Sequence, residues 1–599
     1  MKQLQALNHY FIRYKSYLLW GIIFVILSNL LGVYPPILIG KAIDMVKDKI
    51  IYHSLIEGFT IQKHHYQLFA HTIFIFGCII IVLALLKGLC MYLMRQMLIV
   101  MSRKIEFDLR NDIFLQYERL STDFYKKNRT GDMMARITED VGKVRMYLGP
   151  AIMYALNTVT LFIMIIGTML HTHFWLTVIV LLPLPLLSLG IYYLNMKISR
   201  KSEVLQNQLS QLTNFVQESF SGIKVLQAFA REKMTADRFK KESEIYKAMS
   251  NQLAVFNGLY FPLMIFFIGL STLLVIYLGA LESTKGYFTS GLIAQFIIYV
   301  GMLTWPVTSI GWVASMVQRA EASQKRINEF LLLQPSIQNP TQNPFVLKGE
   351  ISLQDVSFTY PDTGVVALKN LSFSLQQNEI IAIVGKTGSG KSTIADLLLR
   401  KYDPDSGEIR IDGNNLREIN LNQYRKHIGY VPQDGFLFSD TILENICFGL
   451  EKRVAEDEAR EIANEVAVLQ EIERFPAGFD TLIGERGITL SGGQKQRISL
   501  ARALIKKPQL LLLDDCFSAV DADTEKRILS HLQAYLKGRY AIIITSRLLT
   551  TLHFDRIIVM QEGRIAEQGS ETELLRRGGL YADIWERQRR SHNSEAFNY

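Results

Sequence analysis

The apolar positions divide this chain into two parts. Up to about residue 306 they form long blocks, and beyond it short apolar runs alternate with turns and amphipathic stretches. A membrane-spanning helix needs about 20 mostly apolar residues. Several segments of the first part satisfy this length and predict spans at residues 17–43, 68–94, 151–170, 174–196, 255–281 and 292–317. The alternation in the second part is typical of an α/β domain.

The gaps between these spans are unequal. The second and fourth spans are each followed by a long stretch that is charged but helical in pattern. These stretches contain the basic residues Arg95, Arg103, Lys104, Arg110, Lys126, Lys127, Arg129 and Arg136, then Lys197, Arg200, Lys201, Lys224, Arg231 and Lys233. Basic loops tend to remain in the cytosol. We therefore expect both termini to be cytosolic, in a multi-pass membrane protein whose N-terminus leads into a retained helix.

Polar residues inside the predicted spans have two interpretations. They can line a pathway through the membrane, or they can form hydrogen bonds between helices. The candidates are Asn157, Asn195, Asn257 and Gln295. Two proline sites, Pro35-Pro36 and Pro306, are expected to kink the first and last spans.

Composition agrees with a membrane protein and disfavours other classes. Hydrophobic residues make up 49% of the chain, and its mean hydropathy is +0.15. The net charge of +9 could indicate nucleic-acid binding, but the basic residues lie between apolar blocks, so we expect no nucleic-acid partner and a lipid bilayer instead. The cysteines Cys78, Cys90, Cys447 and Cys516 are scattered and predict neither a disulfide framework nor a metal centre.

The second part contains a phosphate-binding loop, GKTGSGKST, between the apolar run EIIAIV and the segment IADLLL. Glycines in such a loop allow backbone N–H groups to point at phosphate oxygens, and the following helix adds its dipole. The motif predicts an ATP site formed by Gly385, Lys386, Thr387, Gly388, Ser389, Gly390, Lys391, Ser392 and Thr393. Lys391 is expected to neutralise the β- and γ-phosphates, and Ser392 to bind Mg²⁺.

A second motif, LLLLDD at residues 510–515, reads as a buried parallel strand that ends in a carboxylate. Asp514 is therefore a further candidate ligand for Mg²⁺. A cluster of Pro, Asn and Ser at residues 334–344 predicts a linker. The expected organisation is a membrane domain at 1–332, a linker at 333–347, an ATPase domain at 348–590 and a tail at 591–599.

LSGGQ at residues 490–494, together with the motifs above, resembles the signature of the ABC transporter family. The resemblance extends over nearly the whole chain: the segments at 130–141 and 218–232 resemble the coupling segments of the exporter type, and IGERG at 483–487 resembles its crossing loop. It implies an all-α membrane domain of six helices and a cytosolic α/β P-loop ATPase domain of the ABC type.

The resemblance also assigns roles to individual residues. It implies that Tyr360 stacks on adenine, that Gln433 is the loop glutamine, a catalytic residue that also binds Mg²⁺, and that residues 518–521 contact a second ATPase domain. In the family each ATP lies between the phosphate loop of one chain and the signature of the other. Residues expected to contact the partner's ATP are Ser491, Gly492, Gly493 and Gln494.

Two residues depart from the family pattern. Asp515 stands where a catalytic glutamate is usual, and Ser546 stands where a histidine is usual. We expect weak hydrolysis at this chain's own ATP site, and a second, different half-transporter that supplies the efficient site. The alternatives are a homodimeric exporter that hydrolyses slowly with Asp515, and an ATP-gated channel or regulator that does not pump. The sequence does not identify the transported substrate.

Overall fold

The computed structural model describes residues 3–55, 59–286, 288–452, 454–484, 490–549 and 551–596. The chain forms two compact units. The first contains the chain up to Glu118 together with Gly131–Leu333, and the second contains Arg119–Thr130 together with the chain from Gln334 onward. A short segment between the second and third spans therefore groups with the C-terminal unit.

The first unit is helical. After a 3₁₀ turn at Gln3–Leu7, its α-helices are α1 (Asn8–Arg13), α2 (Lys15–Leu55), α3 (Phe59–Arg119), α5 (Thr130–Ala135), α6 (Val141–Met146), α7 (Ile152–Thr172), α8 (Phe174–Leu181), α9 (Pro183–Ser221), α10 (Ile223–Ala228), α11 (Glu232–Thr284) and α12 (Ser290–Leu331), and α4 (Thr122–Lys127) belongs to the second unit. Single π-helical turns flank α6 at Arg136–Asp140 and Tyr147–Ala151.

Six helical stretches in the described part of the chain are long and apolar enough to cross a membrane. They lie at Lys15–Ile50, Tyr66–Arg119, Thr130–Thr172, Phe174–Ser221, Glu232–Thr284 and Ser290–Leu331, and each contains one predicted span. Several are far longer than a bilayer requires: α3 has 61 residues and α11 has 53. Since about 20 residues cross the hydrocarbon core, much of each lies outside it.

Polar side chains join the spans to one another. Asn29, which the sequence analysis did not single out, is buried and donates from Nδ2 to Thr160 Oγ1 at 2.5 Å and to the carbonyl oxygen of Asn157 at 3.3 Å. Tyr299 donates to the carbonyl oxygen of Val33 at 2.9 Å. Both contacts join separate helices, and of the predicted candidates only Asn157 takes part, through its backbone carbonyl.

The other candidates differ in environment. Gln295 is buried and Asn257 is exposed. Asn195 lies beside Gly311, where an added Cβ would approach Asn195 Nδ2 to 2.6 Å. Pro35, Pro36 and Pro306 all lie inside continuous helices, α2 and α12.

The second unit contains two sheets. Its strands are β1 (Ile351–Thr359), β2 (Val366–Leu375), β3 (Ile380–Gly385), β4 (Ser406–Ile411), β5 (Asn414–Asn415), β6 (Ile428–Val431), β7 (Leu510–Asp514), β8 (Tyr540–Thr545), β9 (Arg556–Gln561) and β10 (Arg564–Gly569). Its further α-helices are α13 (Lys391–Leu398), α14 (Leu421–Lys426), α15 (Ile442–Cys447), α16 (Glu456–Glu465), α17 (Leu469–Glu473), α18 (Gly492–Leu504), α19 (Ala522–Tyr535), α20 (Glu571–Arg577) and α21 (Leu580–Ala596).

The larger sheet has the strand order β10-β9-β3-β8-β7-β6, and all of its pairs except β10–β9 are parallel. The smaller sheet is antiparallel, in the order β2-β1-β4-β5. Strands β3, β7 and β8 are buried along their whole length, as expected for parallel strands covered on both faces. The apolar runs of the sequence thus form the centre of this sheet.

Candidate functional site

The strand order of the larger sheet brings four loops together. Parallel strands end at the same edge of a sheet, and β3, β8, β7 and β6 are successive neighbours. The phosphate loop follows β3, Ser546 follows β8, Asp515 follows β7, and Gln433 follows β6. Loops at the carboxyl edge of such a sheet form its usual binding crevice.

The phosphate loop requires its glycines. Gly388 and Gly390 have φ of +82° and +94°, in the left-handed region that side chains disfavour. A Cβ at Gly390 would lie 2.3 Å from the carbonyl oxygen of Ala367, so a larger residue would not fit. The chain turns here into α13, which begins at Lys391. The N-terminus of this helix is therefore directed at the loop, where it favours an anion.

Lys391 is buried within this loop. Its Nζ donates to the carbonyl oxygens of Gly385 at 2.6 Å and Lys386 at 2.9 Å. Burial lowers the pKa of Lys391, and the carboxylates of Asp515 and Asp514 partly oppose that effect.

Ser392 and Asp514 are in direct contact. Ser392 Oγ donates to Asp514 Oδ1 at 2.8 Å. Burial raises the pKa of Asp514, the Ser392 hydrogen bond opposes this, and the charges of Asp396 and Asp515 raise it further. A hydroxyl and a carboxylate at this distance supply the hard oxygen ligands that Mg²⁺ prefers. Within the described residues, no cluster of three or more His, Cys, Asp or Glu side chains forms a metal site.

Asp515 and Ser546, the two departures from the family pattern, contact each other. Ser546 Oγ lies 3.0 Å from Asp515 Oδ2 and 3.2 Å from Oδ1, and it can donate to either oxygen. The Ser546 backbone N–H donates to Oδ1 at 3.4 Å. Asp515 has a φ of +46°, and its N–H donates to the carbonyl oxygen of Ile544 at 2.8 Å. The carboxylate is therefore directed at the end of β8.

Tyr360 packs against the helix that follows the phosphate loop. Its hydroxyl lies 3.0 Å from Thr393 Oγ1 and donates to Asp396 Oδ2 at 3.4 Å. The rings of Phe358 and Tyr402 meet the Tyr360 ring nearly at right angles. Burial raises the pKa of Tyr360. The structure thus places a fixed aromatic ring beside the phosphate loop.

The signature residues form a separate group. Ser491 caps α18, accepting from the Gln494 N–H, while the Gln494 side chain accepts from the Ser491 N–H. Ser491 and Gly492 are exposed, and Gln494 Nε2 donates to Glu471 at 2.7 Å. Across the part of the chain that the structure describes, no hydrogen bond joins this group to the phosphate loop. Residues 485–489, within and after the proposed crossing loop, lie outside the described residues.

Gln496 is a site residue that the sequence analysis missed. It is buried, and its Nε2 donates to the carbonyl oxygen of Gln433 at 3.3 Å and to Ser518 Oγ at 3.1 Å. Its Oε1 accepts from the Ala519 N–H at 3.0 Å. Gln496 therefore connects the signature helix with the Gln433 loop and the 518–521 loop, whereas the Gln433 side chain is exposed. A polar residue on the buried face of α18 was the available signal.

A six-span helical unit joined to a nucleotide-binding unit of this type defines the half-transporter of an ABC exporter. Residues 18–307 match the family described as "ABC transporter transmembrane region", and residues 368–518 match the family described as "ABC transporter". The chain belongs to the ABC transporter family. Its predicted fold, a six-helix membrane domain with an α/β ATPase domain, is confirmed, and so is its class, an ATPase coupled to transport.

Particular relatives cover almost the whole chain. It is 35% identical over 582 residues to the probable multidrug resistance ABC transporter ATP-binding/permease protein YheI of Bacillus subtilis, covering 97% of this chain and 96% of that protein. It is 32% identical to the multidrug resistance-like ATP-binding protein MdlA of Escherichia coli, covering 98% and 96%.

Lipid transporters and a solved structure also match. The ATP-dependent lipid A-core flippase of Syntrophus aciditrophicus is 32% identical over 504 residues, covering 84% of this chain and 83% of that protein. A solved structure of a bacterial Atm1-family ABC exporter with ATP bound superimposes with a TM-score of 0.75 at 27% identity, covering 95% of this chain and 98% of that one. These matches support ATP-driven export by a multi-pass membrane protein.

Proposed function

We propose that this chain is one half of a heterodimeric exporter whose two ATP sites differ in hydrolytic activity. The observation that carries the proposal is the contact between Asp515 and Ser546, with Ser546 Oγ 3.0 Å from the carboxylate. Both residues of this chain's own site that the family uses for hydrolysis are replaced, and the replacements engage each other.

The binding part of the same site has all of its residues. In this proposal Lys391 and the N-terminus of α13 bind the β- and γ-phosphates, Tyr360 stacks on adenine, and Ser392 and Asp514 hold Mg²⁺. The metal, when bound, neutralises phosphate charge. Lys391 exchanges its loop carbonyls for phosphate oxygens, so the ammonium remains hydrogen-bonded throughout.

Hydrolysis needs a group that orients and polarises a water molecule at the γ-phosphate. A glutamate would place its carboxylate about 1.5 Å farther from the backbone than Asp515 does. General-base assistance contributes about 10²- to 10⁴-fold, and it requires hydrogen-bond reach to the proton. Asp515 lacks this length, and Ser546 supplies no positive charge to the transition state. We infer slow turnover here.

The signature serves the opposite site in this proposal. Half-transporters of this family generally dimerise, and Ser491 and Gly492 are exposed at the N-terminus of the 13-residue helix α18. Such a helix end attracts anions. An intact signature is useful only if the chain opposite it has an efficient catalytic site, which favours a different partner chain with its own glutamate and histidine.

The substrate class follows from the relatives. Two of them are named for multidrug resistance and one for lipid A-core transport. We propose a small or amphipathic substrate, exported across the plasma (inner) membrane, with both termini in the cytosol.

The first test is the subunit composition of the complex purified by a tag on this chain from its native membrane. The proposal expects a second, different ABC half-transporter at one-to-one stoichiometry. Recovery of this chain alone as an active dimer would contradict it and would make Asp515 the catalytic residue by default.

A matched pair of variants tests the division of labour. Ser491→Arg places a bulky cation in the signature that serves the partner's site, whereas Lys391→Ala impairs this chain's own phosphate loop. We expect Ser491→Arg to abolish most ATPase activity and Lys391→Ala to weaken ATP binding at this site while transport continues. Equal loss with both variants would indicate two equivalent sites and refute the proposed asymmetry.

A further inference from the structure

The short helix α4, at Thr122–Lys127, belongs to the same compact unit as the nucleotide site. The segment before it is joined to the linker: Ser121 Oγ lies 2.5 Å from Ser336 Oγ and accepts from the Ser336 N–H at 3.1 Å. This segment connects two membrane spans, so a contact between α4 and the ATP site would join the site to the membrane helices.

Lys126 makes such a contact. Its Nζ lies 4.5 Å from the centre of the Tyr360 ring and 5.1 Å from the centre of the Tyr402 ring. The two rings are 5.7 Å apart and almost perpendicular, at 86°. An ammonium within about 6 Å of a ring face is attracted by the ring quadrupole. Lys126 thus occupies a corner formed by the two tyrosines.

The ammonium remains charged in this corner. Partial burial lowers the pKa of Lys126, but the hydrogen bond with the Tyr402 hydroxyl and the nearby Asp396 carboxylate raise it by more, so the net pKa is raised. The neighbouring Lys127 is different, because it pairs with Asp123 at 3.0 Å within α4. The two adjacent lysines therefore form a natural comparison.

Lys126 approaches Tyr360 from the solvent. Lys126 is exposed and its Nζ lies over the Tyr360 ring, while the Tyr360 hydroxyl is fixed beside Thr393. The face of the Tyr360 ring that Lys126 covers can therefore be reached from solvent. A purine base, which also arrives from solvent, needs this face for stacking.

We propose that Lys126 and the purine of the nucleotide compete for the same face of Tyr360, so that nucleotide binding releases α4 from the ring. The inference rests on the proposed role of Tyr360 as the adenine platform. Binding at one site that breaks a contact at another links the two, and the linkage is reciprocal. The segment between the second and third spans thereby senses whether a base is present, independently of the phosphates.

The sign of the effect distinguishes competition from simple electrostatics. If Lys126 competes with the base, removing its ammonium raises the affinity for ATP. If it acted as a general positive charge near the phosphates, its removal would lower the affinity for ATP and for inorganic tripolyphosphate together. An exposed cation–π contact corresponds to about a two- to fivefold change in affinity.

The experiment uses the full complex in nanodiscs. Photolabelling with 8-azido-ATP marks this chain separately from any partner after electrophoresis, and unlabelled ATP or tripolyphosphate is the competitor. The variants are Lys126→Met, Lys126→Arg, Lys127→Met, Tyr360→Leu and the double variant Lys126→Met/Tyr360→Leu.

We expect ATP to compete about two- to fivefold more strongly at Lys126→Met, with tripolyphosphate unchanged. Lys126→Arg, which keeps the cation, and Lys127→Met should match the wild type. Tyr360→Leu should weaken ATP binding, and Lys126→Met should have no effect in that background.

Two results would overturn the inference. If Tyr360→Leu left ATP binding unchanged, the platform role of Tyr360 would fail, and the competition with it. If Tyr360→Leu weakened binding but Lys126→Met changed nothing or reduced affinity, the platform would stand and only the competition would be refuted.

Discussion

Restoring the two replaced residues should restore hydrolysis at this chain's site. The perturbation is the double variant Asp515→Glu/Ser546→His. In the present chain Ser546 Oγ lies 3.0 and 3.2 Å from the two Asp515 carboxylate oxygens. A water molecule that uses this carboxylate must compete with that hydroxyl.

The expected magnitude has two parts. A hydrogen bond to a charged group contributes about 1.5–3 kcal/mol, and because Ser546 is exposed the lower end applies, which corresponds to about tenfold in rate. The longer acid adds general-base reach, for which the range is about 10² to 10⁴. We therefore predict a rise of at least about tenfold in turnover at this site, with a ceiling of about 10⁵-fold if both parts contribute in full.

The assay must separate this site from its partner. Vanadate-dependent trapping of 8-azido-ATP on this chain reports turnover at its own phosphate loop, beside the total ATPase rate of the complex. Ser546→Ala should give at most the hydrogen-bond part. Asp515→Asn/Ser546→His, which has the imidazole ring but no carboxylate, should give no increase in turnover. Unchanged trapping in Asp515→Glu/Ser546→His, with ATP binding retained, would refute the reasoning.

Two further predictions concern neighbouring residues. The raised pKa of Asp514 means that the folded state binds its proton more tightly than the unfolded state, so this group's contribution to stability falls as pH rises from its usual range through the raised value. Asp514→Asn should therefore raise the melting temperature of the nucleotide-free protein at neutral pH, and it should abolish the further rise on adding MgATP; a lower melting temperature would contradict this. Gln496→Leu removes three hydrogen bonds with Gln433, Ser518 and Ala519, each of which contributes about 0.5–1.5 kcal/mol. It should reduce ATPase activity with little change in ATP affinity, whereas a loss confined to ATP affinity would assign Gln496 another role.

The sequence predicted the features that depend on neighbours along the chain. The six spans follow from apolar blocks, and the phosphate loop and Asp514 follow from motifs next to apolar strands. The approach of Ser546 to Asp515 was not predicted, although both follow strands that the structure makes neighbours, β8 and β7. Its cause is the strand order, which the residues themselves do not specify.

Other contacts depend on partners far apart in sequence. Asn29 meets Thr160, and Lys126 meets Tyr360 and Tyr402. No periodicity or local motif predicts such pairs, because each depends on how separate elements pack together. Gln496 lies between these two cases. Its place on the buried face of α18 is a local signal for a structural role, but its partners are set by the packing of separate loops.

The backbone conformation at Asp515 has a consequence for how such a site can change during evolution. Its φ of +46° lies in a region that most side chains avoid and that Asp and Asn tolerate better than others. Glutamate at this position carries a local conformational penalty that is accepted only while hydrolysis is selected. Once a partner chain supplies the hydrolytic site, selection for stability alone favours the shorter acid. Replacing glutamate by aspartate here is therefore an easily reached and locally stabilising step toward two unequal ATP sites. A glutamate at this position persists only under selection for hydrolytic activity.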